Sequence, residues 1–359
     1  MAVGVLAVEA AAARRPRDYL NETAASYRFA ARSVEGAARS ADVLIFGDSQ
    51  LKFGLLPSVV AARSGRRAFN LAIVGGQPPS AYFLLRRALE AGAKPSTILL
   101  SAKPNILAVD PRENARNTPE LLGPAEVADL ALAARDPDYL VRQLLAIASP
   151  TIRARVEARR AVKDAFRPPK TTGREAIDRL QRNWRVNGGA MVAAKNRHYG
   201  GGLSVAEESA YLPESWRCDP LNRAYLRRFL DLAASRHIPV CWLIPPIAPE
   251  AQRRREAANL DARYTEFVVH NASRYPNVIV IDARHSAYPA DVFIDPGHLD
   301  RDGASAYTAA VSAILRRGVE KSSRWVDLPR IMGDVPAVAI EDLDESRAAL
   351  AAQPRGVRR

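Results

Sequence analysis

Short apolar runs alternate with stretches of helical periodicity over most of the chain. The runs bounded by polar turns are predicted as strands, at residues 43–46, 67–71, 98–101, 240–244 and 278–281. Helical patterns occupy residues 57–64, 79–91, 221–235, 250–271 and 302–315. Strands that alternate with helices are typical of a parallel sheet covered on both faces. The sequence therefore predicts an α/β fold, doubly wound and flavodoxin-like, with a parallel five-stranded sheet flanked by helices.

Residues 110–220 break this alternation, because they carry helical periodicity and no convincing strand. We interpret them as a helical insertion beside the carboxyl edge of the sheet. Two roles remain open for it, a lid or acceptor-binding wall and a structural cover over the sheet. The insertion belongs to a predicted domain of residues 41–317. Residues 318–359 alternate acids, prolines and alanines and are expected to form a loosely packed or disordered tail.

Residues 1–40 form a separate N-terminal segment in this division. Its apolar stretch, residues 2–13, contains Glu9 and is shorter than the roughly 20 residues of a membrane span. It also lacks the basic region that precedes the apolar core of a signal peptide. The stretch is interpreted either as the remnant of a signal anchor that starts upstream or as a frayed amphipathic helix.

The composition indicates a globular protein, and the positive net charge is compatible with an anionic partner. The 359 residues are 48% hydrophobic, which is enough for a sizeable core, and the net charge is +13. Residues 153–197 hold 13 Lys and Arg against 4 Asp and Glu, a net +9. This basic stretch suits an anionic polysaccharide or a membrane surface, although a solvated basic face is the favoured explanation. Nucleic acid is not expected, because aromatic interleaving, zinc ligands and known motifs are missing there.

Serine, histidine and acid side chains stand where nucleophilic catalysis needs them. The predicted strand 43–46 stops at Gly47 and Asp48, so Ser49 lies at the carboxyl edge of the sheet. Asp295 precedes His298 by three residues, a spacing that lets a carboxylate orient an imidazole. His298 is then a base for the Ser49 hydroxyl. Taken singly, Ser49 is better explained as a helix N-cap, and His298 as an exposed loop residue.

Four short blocks in the chain resemble the SGNH/GDSL hydrolase superfamily in the family's order. The first is Gly47-Asp48-Ser49-Gln50, and the last is Asp295-Pro296-Gly297-His298-Leu299 with Gly303. Asn70-Leu-Ala-Ile-Val-Gly75 is similar to the second block. The third, usually Gly-x-Asn-Asp after a buried strand, is represented by Lys103-Pro104-Asn105, without the family's glycine and final acid. The agreement of all four is more specific than Gly-Asp-Ser alone.

The resemblance implies a serine acyl-enzyme mechanism without a metal or an organic cofactor. The implied oxyanion hole consists of the Ser49 N–H, the Gly75 N–H and the Asn105 amide. Asp48 and Lys103 are weaker candidates for contact with substrate.

Substrate and location follow only from similarity to envelope-associated members of the superfamily. That similarity implies an esterase or O-acetyl transferase at the cell envelope, acting on acylated cell-surface or secreted polysaccharide. Two alternatives are a general lipase or thioesterase, and a catalytically silent polysaccharide-binding or assembly protein. The oligomeric state is left open.

Overall fold

The computed structural model describes residues 9–10, 12–14, 17–166, 173–211, 216–329 and 337–352. The strands of these residues are β1 (Val43–Phe46), β2 (Ala68–Asn70), β3 (Thr97–Leu100), β4 (Val240–Ile244), β5 (Val278–Asp282), β6 (Phe293–Asp295), β7 (His298–Leu299) and β8 (Trp325–Asp327). Six of them form a parallel sheet in the order β2-β1-β3-β4-β5-β8, and β6 pairs with β7 in a separate antiparallel hairpin.

Helices cover both faces of the sheet and build the insertion. In chain order they are α1 (Glu22–Ser33), α2 (Ser49–Gly54), α3 (Pro57–Ser64), α4 (Pro78–Glu90), α5 (Pro104–Ala108), α6 (Pro124–Ala134), α7 (Pro137–Ala148), α8 (Pro150–Arg153), α9 (Arg155–Phe166), α10 (Gly173–Val186), α11 (Val205–Tyr211), α12 (Pro220–Ser235), α13 (Pro249–Ala257), α14 (Leu260–Ala272), α15 (Arg301–Arg317) and α16 (Leu343–Ala351).

Burial on both faces of the sheet explains why the central strands read as continuous apolar runs. Every residue of β1, β3, β4 and β5 is buried. Successive side chains of a strand point to opposite faces. Accordingly Leu44 and Phe46 of β1 join one apolar cluster, whereas Val43 and Ile45 join the other. Parallel sheets are usually covered in this way.

The predicted parallel α/β sheet with flanking helices is confirmed, but the number of strands was wrong. A sixth strand, β8, pairs with β5 in parallel, with Val280 opposite Trp325. It is a three-residue edge strand with no fully buried residue. Such a segment carries no apolar run by which sequence analysis would find it. The order of the first five strands, 2-1-3-4-5, is compatible with a doubly wound fold.

The described residues after 318 contain regular structure. Besides β8 they contain α16, and Arg182 of α10 pairs with Glu341 at 2.6 Å. Asn183 and Asn187 both donate side-chain hydrogen bonds to the Glu341 carbonyl. The tail is therefore fastened to the insertion. Residues 330–336 and 353–359 lie outside the described residues.

The helix predicted over 250–271 is two helices, α13 and α14. Asn259 between them has a φ of 55° and ends the α-helical path. Asn tolerates this left-handed conformation better than most residues do, so a periodic pattern continues through the break.

Residues 110–220 contain helices and no strand within their described parts, 110–166, 173–211 and 216–220.

Most of the predicted N-terminal apolar stretch, residues 1–8 and 11, lies outside the described residues. Helix α1 is not separate from the domain, because Tyr27 and Ala30 are buried in the main apolar cluster. Of the helices in the described ranges, none has the length and hydropathy needed to cross a bilayer.

Lys52 links α2 to the end of the insertion from a fully buried position. Its Nζ donates to the Gly189 carbonyl at 2.7 Å, and its own carbonyl accepts from the Met191 N–H at 3.0 Å. Burial lowers the Lys52 pKa to about 7, since a charged amine is disfavoured away from water.

Replacing Lys52 by methionine tests this burial. The lysine titrates near 10.5 in the unfolded chain and near 7 in the folded one, so between these pH values the unfolded state binds more protons. The unfolding free energy of the wild-type protein therefore increases as pH rises through this window, because Lys52 loses its proton more easily in the folded state. Below the window, the effect of Lys52 on the unfolding free energy is constant. We expect the unfolding free energy of wild type, measured by urea denaturation, to rise relative to that of Lys52→Met from pH 7 to pH 10.

The matched control is Lys94→Met, which removes an exposed lysine. Its difference from wild type is expected to stay constant with pH. A Lys52→Met difference that is equally constant across the window would contradict the buried, neutralised lysine.

Candidate active site

The turn after β1 is built so that Ser49 begins a helix at the edge of the sheet. Gly47 has a φ of 148°, and a Cβ there would lie 2.7 Å from the Ser101 carbonyl oxygen of the neighbouring strand end. Only glycine fits this conformation and this approach. Asp48 is the N-cap of α2, and Ser49 is the first helical residue. The alternative that Ser49 itself is the N-cap is therefore wrong.

Asp48 is fully buried and fixes two backbone segments at once. Its Oδ1 accepts from the Gln50 N–H at 2.8 Å, and its Oδ2 accepts from the Lys103 N–H at 3.2 Å. Both oxygens thus hold backbone, and the side chain has no exposed surface with which to contact a substrate. Asp48 is a positioning residue, not the substrate contact considered from the sequence.

The hairpin of β6 and β7 brings Asp295 and His298 to Ser49. Ser49 Oγ and His298 Nε2 are 2.7 Å apart, although 249 residues separate them in sequence. His298 Nδ1 lies 2.8 Å from each carboxylate oxygen of Asp295. An ionised carboxylate can only accept, so Nδ1 carries the proton in this contact. Nε2 is then free to accept the Ser49 proton.

Asp295 is held in its ionised form. Burial acts to raise its pKa, but the hydrogen bond and charge of His298, the Gly297 N–H and the Lys103 charge outweigh this, and the pKa lies below its usual value. The Gly297 and His298 N–H groups both donate to Oδ1, at 2.8 and 3.0 Å. The carboxylate can thus orient the imidazole and stabilise an imidazolium.

The turn after β2 lies against the start of α2. Asn70 is fully buried and donates to the Leu51 and Leu55 carbonyls, at 2.8 and 2.9 Å. Gly75 has a φ of 69°. Gly76, which the sequence analysis missed, packs against the Gly47 carbonyl so closely that a Cβ would clash. The Ser49 N–H lies in the first turn of α2, where backbone donors have no partner within the helix.

Lys103, more than Asn105, is the side chain of the third block that reaches the nucleophile. Its Nζ donates to Ser49 Oγ at 3.4 Å, and the residue is 9% exposed. Among the described side chains, His298 and Lys103 are the two that hydrogen-bond Ser49 Oγ. The Asn105 Oδ1 instead accepts from the Ile106 N–H at 3.1 Å. The sequence put Lys103 second to Asn105, but the contact with Ser49 Oγ is made by Lys103.

A cleft of about 360 Å³ adjoins this constellation, part of it open to solvent. The side chains that give it chemical character are Gln50, Lys103, Asn105, Tyr211, Trp216 and Arg255. Tyr211 comes from α11 of the insertion, and its hydroxyl lies against Gly297. The insertion therefore forms part of the wall beside Ser49. Sequence analysis missed Tyr211 and Arg255, because neither belongs to a motif.

The rival nucleophile Ser101 is in a different environment. It is 2% exposed, and its hydroxyl has no hydrogen-bond partner among the described residues. It faces a separate cavity of about 270 Å³ with Gly47, Gly76 and Gln77. No base is beside it in the described structure, whereas Ser49 has His298.

Other histidines do not change this assignment. Over the described ranges, no group of three or more His, Cys, Asp or Glu side chains is arranged to hold a metal ion. His198 and His285 are exposed.

Searches for related proteins do not identify the chain. No protein-family model matches it, and no curated protein matches it at a significant level.

Proposed function

We propose that this protein is a serine esterase or O-acyl transferase of the SGNH/GDSL type. The observation that carries the proposal is the 2.7 Å contact between Ser49 Oγ and His298 Nε2, with Asp295 on the other side of the ring. A nucleophile, a base and an orienting carboxylate in hydrogen-bond sequence are the arrangement that acyl transfer requires. The substrate class within this proposal is acyl esters of cell-surface or secreted polysaccharide, at the cell envelope.

The first half-reaction uses the three side chains in turn. Ser49 Oγ attacks the ester carbonyl carbon while His298 Nε2 takes its proton. Asp295 stabilises the imidazolium. When the tetrahedral intermediate collapses, the ester C–O bond breaks and His298 gives the proton to the departing alkoxide. An acyl-Ser49 ester remains. In the second half, water or an acceptor hydroxyl loses its proton to His298 and attacks the acyl carbon. The acyl C–Oγ bond to Ser49 then breaks, and His298 returns the proton to Ser49 Oγ, which completes hydrolysis or transfer and restores the site.

The negative charge of the tetrahedral intermediate needs preorganised donors. We assign this task to the Ser49 N–H, the Gly75 N–H and the Lys103 ammonium. Lys103 Nζ lies 3.4 Å from Ser49 Oγ, so its charge stands beside the atom at which the intermediate forms. A cation there would do what the amide does elsewhere in the family. A lysine in this role would explain how the chain stabilises the intermediate although its third block lacks the usual residues.

Two alternative functions can be tested by experiment. A general lipase or thioesterase would use the same triad on other esters. A catalytically silent polysaccharide-binding protein would keep the fold only, and the departure of the third block from its usual residues is what favours it. The close contacts of Ser49, His298 and Asp295 support catalysis instead.

The basic stretch of residues 153–197 bears on a partner. Several of its basic side chains form ion pairs with acids elsewhere in the chain. These pairs are Arg153–Glu120, Arg174–Asp18, Arg179–Glu22, Arg182–Glu341 and Lys195–Asp291. Arg155, Arg159 and Arg160 of α9 are exposed. An anionic polysaccharide or membrane surface would contact these three side chains together with Arg185 and Arg197, which are also exposed.

Replacing Ser49 by alanine tests the reaction class. The purified chain is expected to hydrolyse p-nitrophenyl acetate, and Ser49→Ala to lose the activity by about 10⁶-fold or to background, since a triad without its nucleophile keeps little. His298→Ala is expected to lose a similar amount. Ser101→Ala is the matched control and should retain wild-type turnover. Activity that survives Ser49→Ala would refute the proposal, and a folded wild-type protein that hydrolyses no ester would favour the silent alternative.

Replacing Lys103 and Asn105 separately tests the oxyanion assignment. Lys103→Met leaves the backbone N–H that Asp48 holds, so the fold should survive. It is expected to lower kcat about 100- to 1,000-fold, the usual cost of one oxyanion donor. Asn105→Ala is expected to cost much less. The reverse ranking would return the role to Asn105, as the resemblance first implied.

A further inference from the structure

The cleft beside Ser49 contains two nearly buried cations. Lys103 is 9% exposed and Arg255 is 7% exposed, and both line the cleft. Charged groups are rarely buried to this extent unless they are paired. Lys103 is accounted for by its contact with Ser49. Arg255, on α13, has no part in the proposed acyl transfer.

Among the described residues, Arg255 forms an ion pair with one carboxylate, that of Asp261. Its Nη2 lies 2.6 Å from Asp261 Oδ1 on α14. Asp261 is the one acid that pairs with Arg255 among the described residues, and its Oδ1 makes no well-aligned hydrogen bond. Burial acts to lower the pKa of Arg255, and the charge of Asp261 only partly offsets this. A second negative partner would relieve the cost of keeping the charge there.

Arg284 shows what a purely structural arginine looks like in the same cluster. Its Nε contacts both oxygens of Asp282 at 3.0 and 3.1 Å, and its Nη2 contacts one of them at 2.6 Å. Its Nη1 donates to the Asp261 carbonyl at 3.4 Å. Arg284 does not line the cleft. Arg255 differs in both respects, because its one described ion pair is with a single oxygen of Asp261 and because it lines the cleft next to Ser49.

The rest of the cleft suits a small polar molecule. The lining of the cleft combines aromatic, amide and cationic side chains. Tyr211 and Trp216 supply aromatic walls, and Trp216 is fixed by a hydrogen bond from Nε1 to the Pro104 carbonyl at 2.6 Å. Gln50 and Asn105 add amide groups. Apolar walls with a few polar groups are typical of ligand sites.

We propose that this cleft binds an anionic group of the esterified substrate, a carboxylate or a phosphate, through Arg255. The inference rests on the proposed function of Ser49 and narrows it to O-acyl esters of acidic sugars. The planar guanidinium donates two parallel N–H bonds to a carboxylate or phosphate, which gives orientation as well as charge. An anion held by Arg255 would fix the sugar while its ester lies at Ser49.

The activity test compares esters that differ in charge. O-acetylated glucuronic acid and O-acetylated glucose 6-phosphate are the anionic arms, and O-acetylated methyl glucoside is the neutral arm. Wild type is expected to have a kcat/KM at least about tenfold higher on one anionic arm than on the neutral one, since a charged hydrogen bond is worth about 1.5–3 kcal/mol. The arm with the larger preference identifies the anion. Arg255→Gln is expected to abolish the preference, mainly through KM.

Two further variants guard against a merely structural effect. Arg255→Lys keeps the charge that Asp261 faces but loses the fork, so it should fold and retain only part of the preference. Arg253→Gln is the matched control on the same helix, exposed and paired with Glu250, and should behave as wild type on every ester. A preference that survives both Arg255 variants, or equal rates of wild type on all three esters, would overturn the proposal.

A binding test separates this inference from the esterase itself. Ser49→Ala protein is titrated calorimetrically with glucuronate, glucose 6-phosphate and methyl glucoside. We expect one of the anions to bind and the neutral sugar not to bind, with binding lost in Ser49→Ala/Arg255→Gln. Anion binding in a protein that hydrolyses no ester would refute the esterase and keep the subsite. Ester hydrolysis without anion binding or charge preference would refute the subsite and keep the esterase.

Discussion

The buried carboxylate of Asp48 is the interaction on which the rest of the site depends. One oxygen caps the helix that begins at Ser49, and the other holds the backbone of Lys103 after β3. The ends of two neighbouring strands are thus tied by one side chain. Hydrogen bonds to a charged group contribute about 1.5–3 kcal/mol each, and a buried charge without them is costly. Ser49 and Lys103 keep their relative positions because this carboxylate must be satisfied.

The sheet order explains why residues so distant in sequence meet here. β1 lies between β2 and β3, so the chain leaves it on one side and returns on the other. In open parallel sheets, ligands bind outside the carboxyl ends of the strands at such a switch point. Ser49 follows β1, Gly75 follows β2 and Lys103 follows β3. The hairpin with Asp295 and His298 then closes the site from the far end of the chain.

Those parts of the fold and the site that lie in contiguous sequence could be predicted. β1 and β4 were predicted to the residue because each is a run buried on both faces, and Ser49, Asp295 and His298 stand in short local patterns. What depends on packing between distant segments could not be predicted. β8 is too short and too exposed to carry a strand pattern, and Arg255 has meaning only beside the cleft. Lys103 was noticed but undervalued, because only the structure gives the direction of its side chain.

The most direct test of the central claim is covalent labelling with a fluorophosphonate, followed by mass-spectrometric mapping of the adduct. An activated serine displaces fluoride and forms an O–P bond, which an ordinary hydroxyl does not do at a comparable rate. The account predicts one adduct, on Ser49, and its loss in His298→Ala protein that is still folded. An adduct on Ser101, or labelling of Ser49 that does not depend on His298, would contradict it.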